Sequence, residues 1–122
     1  MKPESKFYAE VKKNFKQFSL IRIENISLHG TPDLLVYNNN GHFFTIELKV
    51  TRSKKVSFSP HQIAFHIRHP KNTFILVKSL ASGLSKLYEG KDIELLVARG
   101  LSLDACCSGL DACRLKLESL GA

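Results

Sequence analysis

Three residue types that do phosphoryl chemistry stand at a suggestive spacing in this chain. Asp33 opens an apolar run, Leu34-Leu35-Val36-Tyr37, and Glu47 and Lys49 lie near the end of a second run, from Phe43 to Val50. Between the runs sits Asn38-Asn39-Asn40-Gly41, residues that tolerate the positive φ of tight hairpins. The pattern predicts two adjacent antiparallel strands whose outer ends lie side by side. On a strand, Glu47 and Lys49 share one face and Leu48 points to the other. Two carboxylates and an ammonium would then meet at one end of a sheet. Carboxylate oxygens suit Mg²⁺, a hard ion that keeps several of its waters. A neighbouring lysine could orient or help deprotonate an attacking water. The same three residues also fit a surface Glu–Lys pair and an Asp that starts a turn, so the flanking elements must carry part of the argument.

Residues 4–18 predict an amphipathic helix, with Phe7, Tyr8, Val11, Phe15 and Phe18 recurring at three- and four-residue steps. Glu4, Tyr8, Val11 and Phe15 fall at i, i+4, i+7 and i+11, which sets Glu4 within the apolar stripe, whereas Glu10 lies off it beside Lys6 and Lys13. A carboxylate on a core-facing stripe is costly unless a metal or a lysine compensates it, and this favours Glu4 as a third acidic group. A role for Glu4 as a first-turn residue favouring the helix dipole stays open. Residues 19–24 alternate as a strand, with Arg22 and Glu24 on one side, and a loop from Asn25 leads to Gly30. Glu24 is an alternative third carboxylate or a partner for Arg22. His29, just ahead of Pro32-Asp33, could touch phosphate or simply face water.

Beyond Lys49 come Arg52, Lys54 and Lys55, a basic cluster suited to holding a phosphodiester backbone without reading sequence. The same lysines would also protect an exposed edge strand. Ser59-Pro60-His61-Gln62 reads as a helix start with a capping box, which by itself accounts for Gln62. His61 and His66 are not spaced as zinc ligands, and no cysteine is nearby. Phe74-Ile75-Leu76-Val77 predicts a buried strand, residues 86–89 another, and residues 91–99 a short helix closed by Gly100. In the tail, Leu103-Asp104-Ala105-Cys106 recurs as Leu110-Asp111-Ala112-Cys113, and Leu117 continues the spacing of seven. That predicts one helical stripe, weakened by Gly109, which covers the chain's own core or forms a dimer seam.

The chain has 122 residues, enough for one core, so a single domain over 1–122 is expected, with a C-terminal helical extension over about 91–122. No apolar run approaches the ~20 residues needed to span a bilayer, and the N-terminus has no signal-peptide core. Three cysteines, an odd count, point to reduced thiols and a cytoplasmic setting. A net charge of +7 and a pI near 9.5 favour a polyanionic partner, nucleic acid first.

Pro32-Asp33 followed by Glu47-Leu48-Lys49, with Arg22-Ile23-Glu24-Asn25 and Ser59-Pro60-His61-Gln62 around them, resembles the PD-(D/E)xK nuclease superfamily. Within it the chain looks like the small VRR-NUC and Holliday-junction-resolvase-like branch, phage-encoded members included. The resemblance covers about residues 4–90. It implies an α/β, restriction-endonuclease-like αβββαβ core with a mixed central sheet. It implies an Mg²⁺- or Mn²⁺-dependent endodeoxyribonuclease that prefers branched DNA and acts as a homodimer, in the host cytoplasm if phage-encoded. Asp33, Glu47, the Leu48 carbonyl and Glu4 would hold the metal. Lys49 would position the attacking water, and Gln62 would lie near the lysine and the bound phosphate. Arg22, Arg52, Lys54, Lys55 and His61 would contact nucleic acid. The other readings are a non-catalytic nucleic-acid-binding module on a nuclease fold, and a sequence-specific restriction-type enzyme. The chain is short for the recognition elements that a restriction-type enzyme adds.

Overall fold

The two apolar runs around the Asn-rich turn do form a hairpin. The computed structural model describes residues 2–23 and 30–122. Strand β2 (Leu34–Tyr37) pairs antiparallel with β3 (Phe43–Thr51), with Leu34 opposite Ile46 and Tyr37 opposite Phe43. The turn closes through Gly41, at φ 72°, and through Asn38, whose Oδ1 accepts from the backbone N–H groups of Asn40 and His42. Strand β1 (Ser19–Arg22) adds antiparallel to β2. Helix α2 (Pro60–Arg68) then carries the chain over to β4 (Thr73–Ser79), which pairs parallel with β3. Strands β5 (Ser85–Glu89) and β6 (Cys107–Ser108) complete a six-stranded mixed sheet in the order β1-β2-β3-β4-β5-β6.

Side-chain alternation divides the core between the two faces of this sheet. Leu34, Val36, Phe44, Ile46, Phe74, Leu76 and Leu87 pack with Phe7, Val11, Phe15 and Phe18 on one face. Helix α1 (Pro3–Asn14) covers that face together with α4 (Leu110–Glu118), which supplies Cys113 and Leu117. The helix at the N-terminus ends at Asn14, short of residue 18, yet Phe15 and Phe18 stay buried with ring centroids 5.4 Å apart. The opposite face gathers Val56, Ile75, Val77 and Tyr88 with Ile93 and Leu96 of helix α3 (Ile93–Arg99). Among the described residues, no helix is long and apolar enough to cross a membrane.

The tail departs from the single stripe that its sevenfold spacing predicts. Only Leu110–Glu118 is helical, and Gly109, at φ 90°, precedes that helix instead of weakening its middle. Cys107–Ser108 are claimed by the sheet, where Cys107 lies opposite Leu87. Leu103 packs with the α3 cluster and Leu117 with the α1 cluster, so the two leucines serve opposite faces of the sheet. The α4 helix is anchored by a residue whose sequence context marks only a turn. Asn38, buried, donates through Nδ2 to the carbonyls of Leu117 and Leu120 at 2.9 and 2.8 Å.

Candidate active site

Strand β3 outruns its antiparallel neighbour. Its last pairing with β2 is at Ile46, and Glu47 to Thr51 continue along β4 alone. The Leu48 N–H on that open side has no strand partner, and Asp33 Oδ2 accepts its hydrogen at 2.7 Å. This bond fixes Asp33 beside Glu47 and gives a structural reason for an Asp just before β2.

Glu47 is almost wholly enclosed, at 3% exposure. Its Oε2 accepts from Gln62 Nε2 at 3.2 Å. Its Oε1 is buried and meets no donor, while the Asp33 carboxylate lies within hydrogen-bonding reach of the same group. Two acceptor groups facing each other out of water need a proton or a cation between them. Burial first, then the Asp33 charge and the Asp33 hydrogen bond, push Glu47 up to about 9, and the nearby Lys49 only partly offsets this. Without a metal, the Asp33–Glu47 pair is therefore biased toward keeping a proton.

Lys49 is held on two sides. Its Nζ donates to Gln62 Oε1 at 2.9 Å and sits 4.8 Å from the centre of the Phe58 ring. Burial lowers its pKa, against the opposing pull of Glu47 and Asp33. Phe58 is a site residue that sequence reasoning misses; its one signal is a β-like alternation with Val56 just before the helix.

Gln62 caps α2 and also contacts the Glu47–Lys49 pair. Ser59 Oγ accepts from the Gln62 N–H, and Gln62 Oε1 accepts from the Ser59 N–H, closing the capping box of α2. The same side chain reaches Glu47 and Lys49. The start of α2 is set against the approach to Asp33 by Gly30, at φ 82°, where a Cβ would collide with the His61 carbonyl.

The remaining predicted residues divide clearly. Glu4 lines a cleft of about 140 Å³ with Tyr8, Arg22, Asp33, Glu47 and Leu48. It is exposed, so the argument from a costly buried carboxylate does not hold for it; α1 brings its first turn to the cleft mouth instead. Glu10 points away and pairs with Lys78 at 3.0 Å. Arg22 sits at the lip, 4.8 Å from the Tyr8 ring centre. Arg52, Lys54 and Lys55 are exposed in the crossover beyond β3, which is an interior strand, so they guard no sheet edge. His61 is exposed on the first turn of α2. His66 is fully buried, with Nδ1 against the Gln62 carbonyl at 2.8 Å, and is not available to nucleic acid. Glu24, Asn25 and His29 lie outside the described residues. Among the described residues, no three acidic, histidine or cysteine side chains form a ready-made ligand cluster; the convergent pair is Asp33 and Glu47.

No family model matches this chain, and no curated protein matches it. A solved structure does share its fold: Hjc, a Holliday junction resolvase from the archaeal hyperthermophile Archaeoglobus fulgidus. The two superpose with a TM-score of 0.51 at 18% identity, over 72% of this chain and 73% of that one. The fold is restriction-endonuclease-like. Its αβββαβ core runs from α1 to β4, and β5, β6, α3 and α4 extend it.

Proposed function

We propose that this protein is a divalent-metal-dependent endodeoxyribonuclease acting on branched DNA. The observation that carries the reading is the pair of facing carboxylates, Asp33 and Glu47, with Lys49 held beside them by Gln62. The donor set fits a hard cation: the pair consists of acceptors only, and one buried oxygen has no partner. Asp33, Glu47 and the Leu48 carbonyl would hold Mg²⁺ or Mn²⁺, with Glu4 reaching it from the cleft mouth. When bound, the ion would supply a water of lowered pKa and neutralise charge on the phosphate.

The chain's own groups do the rest. Gln62 fixes the Lys49 ammonium where it can donate to the attacking water or to a phosphate oxygen. Phe58 excludes water from one side of that ammonium, which strengthens the hydrogen bonds it makes. Arg22 at the lip and Arg52, Lys54 and Lys55 beyond β3 would grip the backbone by charge, without reading bases.

Branched DNA as substrate is supported by the fold shared with a Holliday junction resolvase, together with the net charge of +7 and the cluster of cations around the cleft. Cutting two strands symmetrically calls for a two-fold dimer. The sevenfold stripe of the tail is ill suited to the seam, because Cys113 and Leu117 are buried in the chain's own core. The sheet face opposite α1, across β1, β2 and the start of β3, leaves Ile21, Tyr37 and Phe43 exposed at 46%, 38% and 53%, which suits a second copy better. The test is a panel of end-labelled duplex, single strand, flap and four-way junction, each with and without Mg²⁺. Metal-dependent cuts concentrated at the branch support the proposal; intact substrates throughout would reduce the protein to a binding module.

A further inference from the structure

A cavity of about 740 Å³ lies between α1 and the far ends of β3 and β4, and neither Asp33 nor Glu47 lines it. Phe7 and Leu80 contribute apolar walls, and Lys6, Arg52 and Lys78 bring cations to its lining. Its one acidic lining residue, Glu10, is bonded to Lys78 at 3.0 Å. The cavity is continuous in sequence with the candidate site at two points. Glu4 at the cleft mouth and Lys6 stand two residues apart at the start of α1, and Arg52 follows Lys49 by three residues where β3 ends. Lys78 lies opposite Val50, the residue after Lys49.

We propose that this groove is a second nucleic-acid subsite, which takes the phosphodiester backbone of the strand leading away from the cut. Lys6, Arg52 and Lys78 hold phosphates, and the apolar walls accept sugar. Three cations around an apolar floor match the alternation of phosphate and sugar along a strand, the arrangement by which proteins track a backbone without reading bases. The groove is too open and too cationic for a small apolar ligand. Glu10 restrains the site: it competes with phosphate for Lys78, so substrate must displace it. The inference rests on the nuclease reading for the identity of the strand but adds two residues, Lys6 and Lys78, that neither the motif nor the fold likeness assigns.

The test uses a fluorescent four-way junction bound in the Asp33→Asn background, which keeps the substrate uncut, over a range of salt concentrations. Removing one phosphate-neutralising cation lowers the slope of log affinity against log salt by about 0.9, so Lys6→Gln with Lys78→Gln should lower it by about two. The fall in affinity between about 50 and 200 mM salt should then be roughly ten-fold smaller than in the parent. Glu10→Gln should act in the opposite direction and tighten binding, which damage to the fold would not mimic. Lys13→Gln and Lys71→Gln, exposed and outside the groove, provide the background for a general reduction of charge. A double variant and a Glu10→Gln variant that both bind like the controls overturn the subsite and leave the nuclease reading standing. A parent that binds no DNA at all overturns both.

Discussion

Gln62 Nε2 donates to Glu47 Oε2 at 3.2 Å, while Gln62 Oε1 accepts from Lys49 Nζ at 2.9 Å. One amide thus reads both members of the Glu-x-Lys pair, and it does so from the third residue of a helix whose start it also caps. The geometry couples where α2 begins to how the candidate site is set.

That coupling can be separated by mutation. Ser59→Ala removes half of the capping box, which costs about 1 kcal/mol and a few degrees of Tm. It leaves Gln62 on Glu47 and Lys49, so cleavage should stay within about three-fold of the parent. Gln62→Ala should cost comparable stability and lower kcat by roughly ten- to hundred-fold, because Lys49 and Glu47 lose their shared partner. Equal activity in the two variants would confine Gln62 to capping.

Asp33→Asn and Lys49→Ala should each abolish cleavage while junction binding persists. They should differ in stability. The amide introduced by Asp33→Asn can still accept from the Leu48 N–H, and its new donor can satisfy the orphaned oxygen of Glu47. The metal-free Asp33→Asn protein should therefore melt about 2–8 °C above the parent at pH 8. Lys49→Ala should melt at or below it, since it removes the cation that partly offsets the carboxylate charge. Thermal melts of the metal-free proteins check this.

The raised Glu47 pKa sets a pH dependence with a definite sign. Below about 4.5 the carboxyl is protonated in both the folded and the unfolded chain. Between there and about 9, the folded protein keeps a proton that the unfolded chain has released. The unfolded state binds fewer protons in that window, so this group's contribution to stability falls as pH rises through it and levels off above. Glu47→Gln should flatten that part of a Tm-against-pH curve. Saturating Mn²⁺ should oppose the fall by binding the deprotonated pair. An unchanged curve in Glu47→Gln would place the titration elsewhere.

The tail gives a prediction away from the site. Asn38→Ala strips the carbonyls of Leu117 and Leu120 of a buried donor, and should cost about 1–3 kcal/mol. Leu117→Ala should cost about 2–5 kcal/mol through the cavity it leaves. Denaturant unfolding measures both. Neither should change the oligomeric state, as a heptad seam would require.

How much of this is legible in the sequence follows from how local each signal is. The hairpin, the helix start at Ser59 and the buried strand at Phe74 are written in turn chemistry, capping residues and runs of four or more apolar residues, and all three form where those signals put them. The Asp33–Glu47 proximity follows from strand register alone. The position of Glu4 does not: helical spacing gives its face, but its exposure depends on where α1 crosses the sheet. The tail misleads because a seven-residue repeat is divided between two environments, with Leu103 on one sheet face and Leu117 on the other. Asn38 offers a turn signal complete in itself, so nothing local marks it as the anchor of a helix some eighty residues away. The groove beside Lys78 requires knowing that β3 and β4 run parallel.

On the proposed function, Asp33 and Glu47 share a proton that a divalent cation replaces. Calorimetric titration of Mn²⁺ at pH 7, repeated in buffers of different ionisation enthalpy, reads binding and proton release together. One bound ion with release of about one proton is expected, both abolished in Glu47→Gln. Binding of Mn²⁺ without proton release, or equally tight binding by Glu47→Gln, would contradict it.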